Sequence, residues 1–147
     1  MQRTLLIIGD TDALISTINI DAHHEVVKAI YRELASVNAG IYFPSAIIAE
    51  TITTCQRRLK NPSLAEAMVT QLTSDLINIL PTDDDTLQMA AAFFHPHGSK
   101  ENTFFDAIVA ASAKKQNADA IFSFDQWYRK LGFKLASDLL EQKSLAT

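Results

Sequence analysis

A single cysteine, Cys55, stands in a chain of 147 residues, which excludes an intrachain disulfide and any metal site built on several thiolates. Glycine and proline are equally scarce, at four each, too few for a collagen-like or low-complexity chain. A basic excess is also missing. Lys and Arg total 13 against 17 Asp and Glu, a net charge of −4, so bulk electrostatics would not hold this chain to nucleic acid, although a local basic rim is compatible with it. Long apolar runs are absent too: Leu5-Leu6-Ile7-Ile8 is too short for a signal-peptide core or a membrane span, and nothing longer follows. What remains is 48% hydrophobic and 20% charged residues, the balance of a packed domain rather than a disordered one. The expectation is one cytoplasmic domain over residues 1–147, with no membrane partner.

Strand and helix signals alternate from end to end. Leu5 to Ile8, stopped by Gly9-Asp10, reads as a strand buried on both faces of a parallel sheet. Asp21 is placed to cap a helix with apolar positions Val26, Val27, Ile30, Leu34 and Val37, ended by Asn38-Ala39-Gly40. Ile41-Tyr42-Phe43 is a second strand, closed by Pro44. Ser45 is placed to cap the next helix, whose buried stripe is Ile48, Ile52, Cys55 and Leu59. Ser63 to Ser74 predicts a helix, with Leu64, Met68 and Leu72 four residues apart, and Leu76 to Leu80 a third strand. Helices follow over about Thr86–Phe94 and Thr103–Lys115. Ala120-Ile121-Phe122 is a strand, and Phe133-Lys134-Leu135 alternates like an edge strand. This order predicts an α/β fold, a three-layer α/β/α sandwich around a mainly parallel central sheet.

Acidic residues sit at particular places in that order. Asp10 and Asp12 follow the first strand, Glu50 lies in the helix after the second, Asp106 is in the first turn of the Thr103 helix, and Asp125 follows the strand Ala120–Phe122. Residues just past parallel strand ends converge on one edge of the sheet, where ligands bind. Four or five carboxylates in one cleft are unsound alone, since two charges ~4 Å apart repel by about 4 kcal/mol at an effective dielectric near 20. A hard divalent cation with oxygen ligands and substrate phosphate resolves this, and the chemistry then indicated is metal-assisted phosphodiester hydrolysis. Each acid alone has a plainer reading. Asp10 or Asp12 caps a helix, Thr103 to Asp106 is a capping box, Glu50 faces solvent opposite Ile48 and Ile52, and Asp125 caps the Trp127–Lys130 turn.

As a set, these stretches resemble the PIN-domain ribonucleases, and among them the toxin half of type II toxin–antitoxin (VapBC-type) pairs. They are Ile7-Ile8-Gly9-Asp10-Thr11-Asp12-Ala13-Leu14, Pro44-Ser45-Ala46-Ile47-Ile48-Ala49-Glu50, Asp106-Ala107-Ile108-Val109-Ala110-Ala111, and Ser123-Phe124-Asp125. The likeness runs from about Leu5 to Leu140. It implies a PIN-like fold and an Mg²⁺- or Mn²⁺-dependent endonuclease acting on single-stranded RNA. By motif, Asp10, Glu50, Asp106 and Asp125 are the catalytic, metal-site acids, with Ser123 and Thr11 as supporting polar groups. An antitoxin partner and a homodimer are also implied, through helix faces carrying either Val26 and Ile30 or Leu64 and Met68. Position 12 departs from the pattern: the family usually has Ser or Asn there, so Asp12 is either an added ligand, an outer carboxylate or a cap.

Other residues divide between two readings. Arg57, Arg58 and Lys60 are either favourable charges at a helix C-terminus or a small basic rim for RNA phosphates. Lys114 and Lys115 fit the helix-end reading better. Asp83-Asp84-Asp85 is explained by a helix N-terminus. His95 and His97 bracket Pro96 in a loop near the cleft with no third ligand, and His23 and His24 are expected at the surface. Trp127 and Tyr128 are either base-stacking groups or core, with packing the commoner fate. Two other functions compete. Asp10-Thr11-Asp12 also resembles the nucleophile loop of haloacid-dehalogenase-type phosphatases, although Ala13-Leu14 lacks the usual hydroxyl. The other is a non-catalytic module binding RNA or protein.

Overall fold

The computed structural model describes residues 3–18 and 24–145, with side chains to 141. Asp21 and His23 lie outside the described residues. The elements run β1 (Leu5–Gly9), α1 (Thr11–Ser16), α2 (His24–Ser36), β2 (Ala39–Pro44), α3 (Ser45–Arg57), α4 (Pro62–Thr73), β3 (Ile79–Leu80), α5 (Asp84–Phe93), α6 (Phe104–Lys115), β4 (Ala120–Phe122), α7 (Trp127–Lys130) and α8 (Ala136–Leu145). All strand pairs are parallel, in the order β3-β2-β1-β4. β1 lies between β2 and β4, with Ile7 opposite both Ile41 and Ala120. The chain winds outward from β1 through β2 to β3 and then returns to place β4 on the other side. The winding therefore reverses between β1 and β4, and their C-terminal ends open the crevice that parallel sheets offer to ligands.

Period-2 alternation assigns β1 and β4 to two faces. Ile7, Ala120 and Phe122 point to one side and pack with Val27, Ile30 and Leu34 of α2 and Ala136 and Leu139 of α8. Ile8 and Ile121 point to the other, against Val109, Ala110 and Ala113 of α6 and the ring of Tyr128. Helix α6 is buried without interruption from Ala107 to Ala113. Its small residues let it lie close to the sheet while Ala107, Ile108 and Ala111 meet Ala90 of α5 on the opposite side. A further cluster joins α1, α3 and α4 through Leu14, Ile48, Cys55, Leu64 and Met68.

Several expectations need correction. Leu76 to Leu80 is paired only at Ile79–Leu80, with Leu76 72% exposed. Near the start of that segment, Asn78 donates its side-chain amide to the Ile41 carbonyl in place of a regular ladder bond. Phe133 to Leu135 contributes one bridge, Leu135 to Ile121, rather than a strand. Ser45 is the first residue of α3, not its cap, and its hydroxyl accepts the Thr82 amide. Asn38, at φ 58°, ends α2, while Ala39 and Gly40 already belong to β2. Val26 is exposed rather than buried, whereas Ile30, Leu64 and Met68 are core. Those three side chains pack inside the chain, and on α2 and α4 the apolar groups left exposed are Val26 and Val69.

Gly9 is fixed by contact. A Cβ there would lie 2.2 Å from Cε1 of Phe43, a ring only 4% exposed that would have to shift. Gly9→Ala is expected to cost about 1–3 kcal/mol, the usual penalty for overpacking. Urea denaturation checks it, and Phe43→Leu in the same chain should return part of the loss.

Candidate active site

β1 delivers Asp10 to the C-terminal edge of the sheet, where its amide donates to the Phe122 carbonyl at 3.2 Å and ties the ends of β1 and β4 together. Asp10 also caps α1, accepting the Ala13 amide at 3.1 Å. Its carboxyl is buried beside Ser123, at 5% and 4% exposure. Burial pushes the Asp10 pKa up to about 7, against a lowering hydrogen bond from Ser123, and the nearby charges of Asp12 and Asp106 raise it further. Asp12 stands exposed in the first turn of α1.

Glu50, on α3, is half-buried rather than solvated. The Thr11 hydroxyl donates to its Oε1. Burial raises its pKa, the Thr11 bond opposes that, and Asp106 and Asp12 add to the rise. Asp106 closes the capping box of α6, with Oδ2 accepting the Thr103 amide at 2.9 Å. Burial again raises its pKa, joined by the charges of Asp125 and Asp12. Asp125, after β4, accepts the Asn102 side-chain amide at 2.8 Å and the Trp127 amide at 2.9 Å. Ser123 Oγ in turn accepts the Asp125 amide at 3.0 Å. Tyr128 is fully buried, and its hydroxyl donates toward Asp106 Oδ1 at 3.4 Å. Burial holds this phenol protonated, as do the charges of Asp10, Asp106 and Asp125. Asp10, Asp12, Glu50, Asp106 and Asp125 therefore feel one another across one crevice.

The rest of the inventory separates cleanly. Arg58 acts on Glu50, lowering its pKa, so at least this member of the Arg57, Arg58 and Lys60 group reaches the crevice electrostatically; all three are exposed. Asp83 caps α5 through Thr86 and pairs with Lys115 at 2.7 Å, as a helix-terminus role requires. His24 donates its Nδ1–H to the Ser16 carbonyl at 2.7 Å, so it is anchored rather than a loose surface residue. Cys55 is core. Sequence reasoning missed Asn102 as the group that orients Asp125. The only available signal was its position just before the capping Thr103.

Every donor in the crevice is a hard oxygen, the set that suits Mg²⁺ or Mn²⁺ rather than a soft or nitrogen-seeking metal. A buried carboxyl whose pKa is pushed up to about 7 among other acids is what such an ion would relieve, and in that chemistry the residues fit. Among the described residues, however, no group of three or more His, Cys, Asp or Glu side chains already stands at coordinating distance. The acids are instead held to Thr11, Ala13, Thr103, Asn102 and Trp127.

Residues 7–134 match the PIN-domain family. The chain belongs to it. This PIN domain is similar to a VapC ribonuclease of Aquifex aeolicus (strain VF5), at 23% identity over 114 residues that span 75% of this chain and 79% of that protein. It also superimposes on the crystal structure of Mycobacterium tuberculosis VapC20, described as a toxin that cleaves the sarcin-ricin loop, with a TM-score of 0.72. That match has 23% identity and covers 86% of this chain and 95% of the toxin. It shows the fold, with its parallel sheet and surrounding helices. Membership also weighs against the phosphatase reading of Asp10 and Asp12.

Because folding raises the Asp10 pKa from 3.8 to about 7, the unfolded chain releases this proton first, and stability is lost as pH climbs through that window. In chelator-treated buffer, going from pH 5 to pH 8 is expected to cost the wild type about 2.5 kcal/mol that Asp10→Asn does not lose, at about 1.4 kcal/mol per pKa unit. Denaturant titration of both proteins at the two pH values reads this difference. Equal slopes would overturn the raised pKa of Asp10.

Proposed function

We propose that this PIN domain is a metal-dependent endoribonuclease that hydrolyses phosphodiester bonds of single-stranded RNA, a cytoplasmic toxin restrained by an antitoxin. The observation that carries the reading is the convergence of acids from four separate segments on the β1–β4 crevice, where burial and mutual repulsion drive Asp10, Glu50 and Asp106 toward protonation. The VapC relatives support the substrate class and the toxin role. Homodimer formation accords with the same resemblance.

In this reading Asp10, Glu50, Asp106 and Asp125 hold Mg²⁺ or Mn²⁺, with Asp12 in reach as a further carboxylate. When bound, the ion would supply charge neutralisation at the phosphate and activation of water for attack. The chain's own groups do the placing. Ser123 and the Ala13 amide fix Asp10, Thr11 fixes Glu50, Tyr128 and the Thr103 amide fix Asp106, and Asn102 fixes Asp125. Arg57, Arg58 and Lys60 provide a cationic rim for flanking phosphates, which orient the strand without reading its sequence.

Labelled single-stranded RNA incubated with the protein is expected to be cut internally with Mn²⁺ and left intact with chelator. Asp10→Asn and Asp106→Asn should each lower the rate by at least about 100-fold, as expected when a charge-stabilising group is lost. Release of inorganic phosphate from a small phosphomonoester would revive the phosphatase reading. Binding of RNA without cleavage, unaffected by either substitution, would favour a non-catalytic module. Independently, Mn²⁺ at a hundred times its Kd should stabilise the fold by about 2.7 kcal/mol. A melting temperature that does not move with Mn²⁺ or Mg²⁺ would count against the metal site.

A further inference from the structure

Beside the acids lies a second feature that the nuclease reading does not use. A cavity of about 220 Å³ is walled by Phe93 and Phe94 at the end of α5 and by Trp127 at the start of α7. The loop from His95 to Asn102 also lines it, folded on itself by the Gly98 amide donating to the His95 carbonyl and the Asn102 amide to that of Ser99. Pockets for whole small-molecule ligands run to roughly 300–1,000 Å³, so this smaller space suits one ring system rather than a complete nucleotide.

Its position is what gives it meaning. Asn102 lines the cavity and donates to Asp125 at 2.8 Å. Thr103 lines it and forms the capping box with Asp106. Trp127 lines it and donates its backbone amide to Asp125 at 2.9 Å. Three lining residues thus hold the two acids on this side of the crevice. The aromatic walls pack against the core on one side without being fully enclosed. Tyr128 is fully buried, but Trp127, Phe93 and Phe94 keep part of their surface open. Phe94 is braced edge-on by Phe104, with ring centroids 5.5 Å apart, and Trp127 is braced by Tyr128 at 5.3 Å. Exposed Lys130 lines the same space and brings a positive charge to it. Half-open aromatics with a cation alongside are the parts from which proteins build sites for unstacked bases.

We propose that this cavity takes a single nucleobase of the RNA, from a nucleotide flanking the phosphate to be cut at the acidic crevice, and so sets which strands are cut. The inference rests on the nuclease reading for its substrate, but base capture can be observed without cleavage. The aromatic walls supply stacking that any base can use. His95, Ser99 and Asn102 carry the polar atoms through which an edge would be distinguished. A duplex cannot present a base in this way, because the ring must leave its stack.

Trp127 is the chain's only tryptophan, so its fluorescence reports directly on the cavity. Asp10→Asn protein with chelator is titrated with a short single-stranded RNA and with copies made abasic at each position in turn. Wild-type protein with Mn²⁺ then cleaves the same series. Quenching that disappears for one abasic position is expected, together with a loss of about ten- to a hundred-fold in kcat/KM for that same RNA, the range for one stacked base. In Ser99→Phe, which fills the cavity from an exposed loop position, the ratio between intact and abasic substrates should collapse toward one. Cleavage without quenching and without any abasic penalty overturns the base site and leaves the nuclease standing. Base-dependent quenching by a protein that cuts no RNA overturns the nuclease and leaves the base site. An unchanged ratio in Ser99→Phe also overturns the proposal.

Discussion

The structure turns on one carboxyl that cannot be well solvated where it stands. Asp10 ends a strand whose preceding residues are buried, and the sheet carries it into the interior before the chain can turn away. Parallel pairing forbids any other outcome, because β1 lies between two neighbours and both faces are covered by helices. The cost of burying an acid is met locally by the Ala13 amide and by Ser123. Those bonds do not offset its burial, and its pKa stays raised to about 7. The position is therefore stable when the group is neutral, or when something positive arrives, and the two states differ by a charge at the centre of the crevice.

Capping and chemistry are usually weighed as alternatives for acids at helix starts. Here they are the same arrangement. Asp10 accepts an amide of α1, Asp106 an amide at the start of α6, and Asp125 an amide of α7. Each bond satisfies a backbone donor left over at a helix terminus and also fixes the carboxylate in one orientation, with its remaining lone pairs available. A cluster of free acids would repel into solvent. A cluster of caps stays in place because each member is held by its own helix. The same bonds hold the acids while, among the described residues, no group of three stands at coordinating distance.

Much of this was legible from residue order alone. Long buried stretches with a clear period announce themselves, and β1, α3, α6 and β4 fall where Leu5–Ile8, the Ile48–Cys55 stripe, the alanine-rich run after Asp106 and Ala120–Phe122 place them. Edges were read less well. Leu76–Leu80 looks like a strand by composition, yet an edge position pairs only two residues and leaves Leu76 in solvent. Phe133–Leu135 fails in the same way. At a sheet border, pairing depends on what the neighbour offers, and that information is not local. Val26 illustrates the opposite error, a hydrophobic residue at helical spacing that happens to face outward.

The site was legible in its acids and illegible in their supports. An acid that follows a strand is visible as a pattern. Asn102 reaching Asp125 across 23 positions, or Tyr128 reaching Asp106 across 22, is not, because nothing in an isolated Asn or Tyr says which carboxylate it will meet. Trp127 and Tyr128 make the limit concrete. They are adjacent, both aromatic and equally plausible as core, yet helix α7 turns one ring wholly inward beneath the acids and leaves its neighbour on the wall of an open cavity. A single step of about 100° around a helix separates them. Support for the acids from below and recognition beside them thus come from consecutive residues, so the geometry of one short helix sets both.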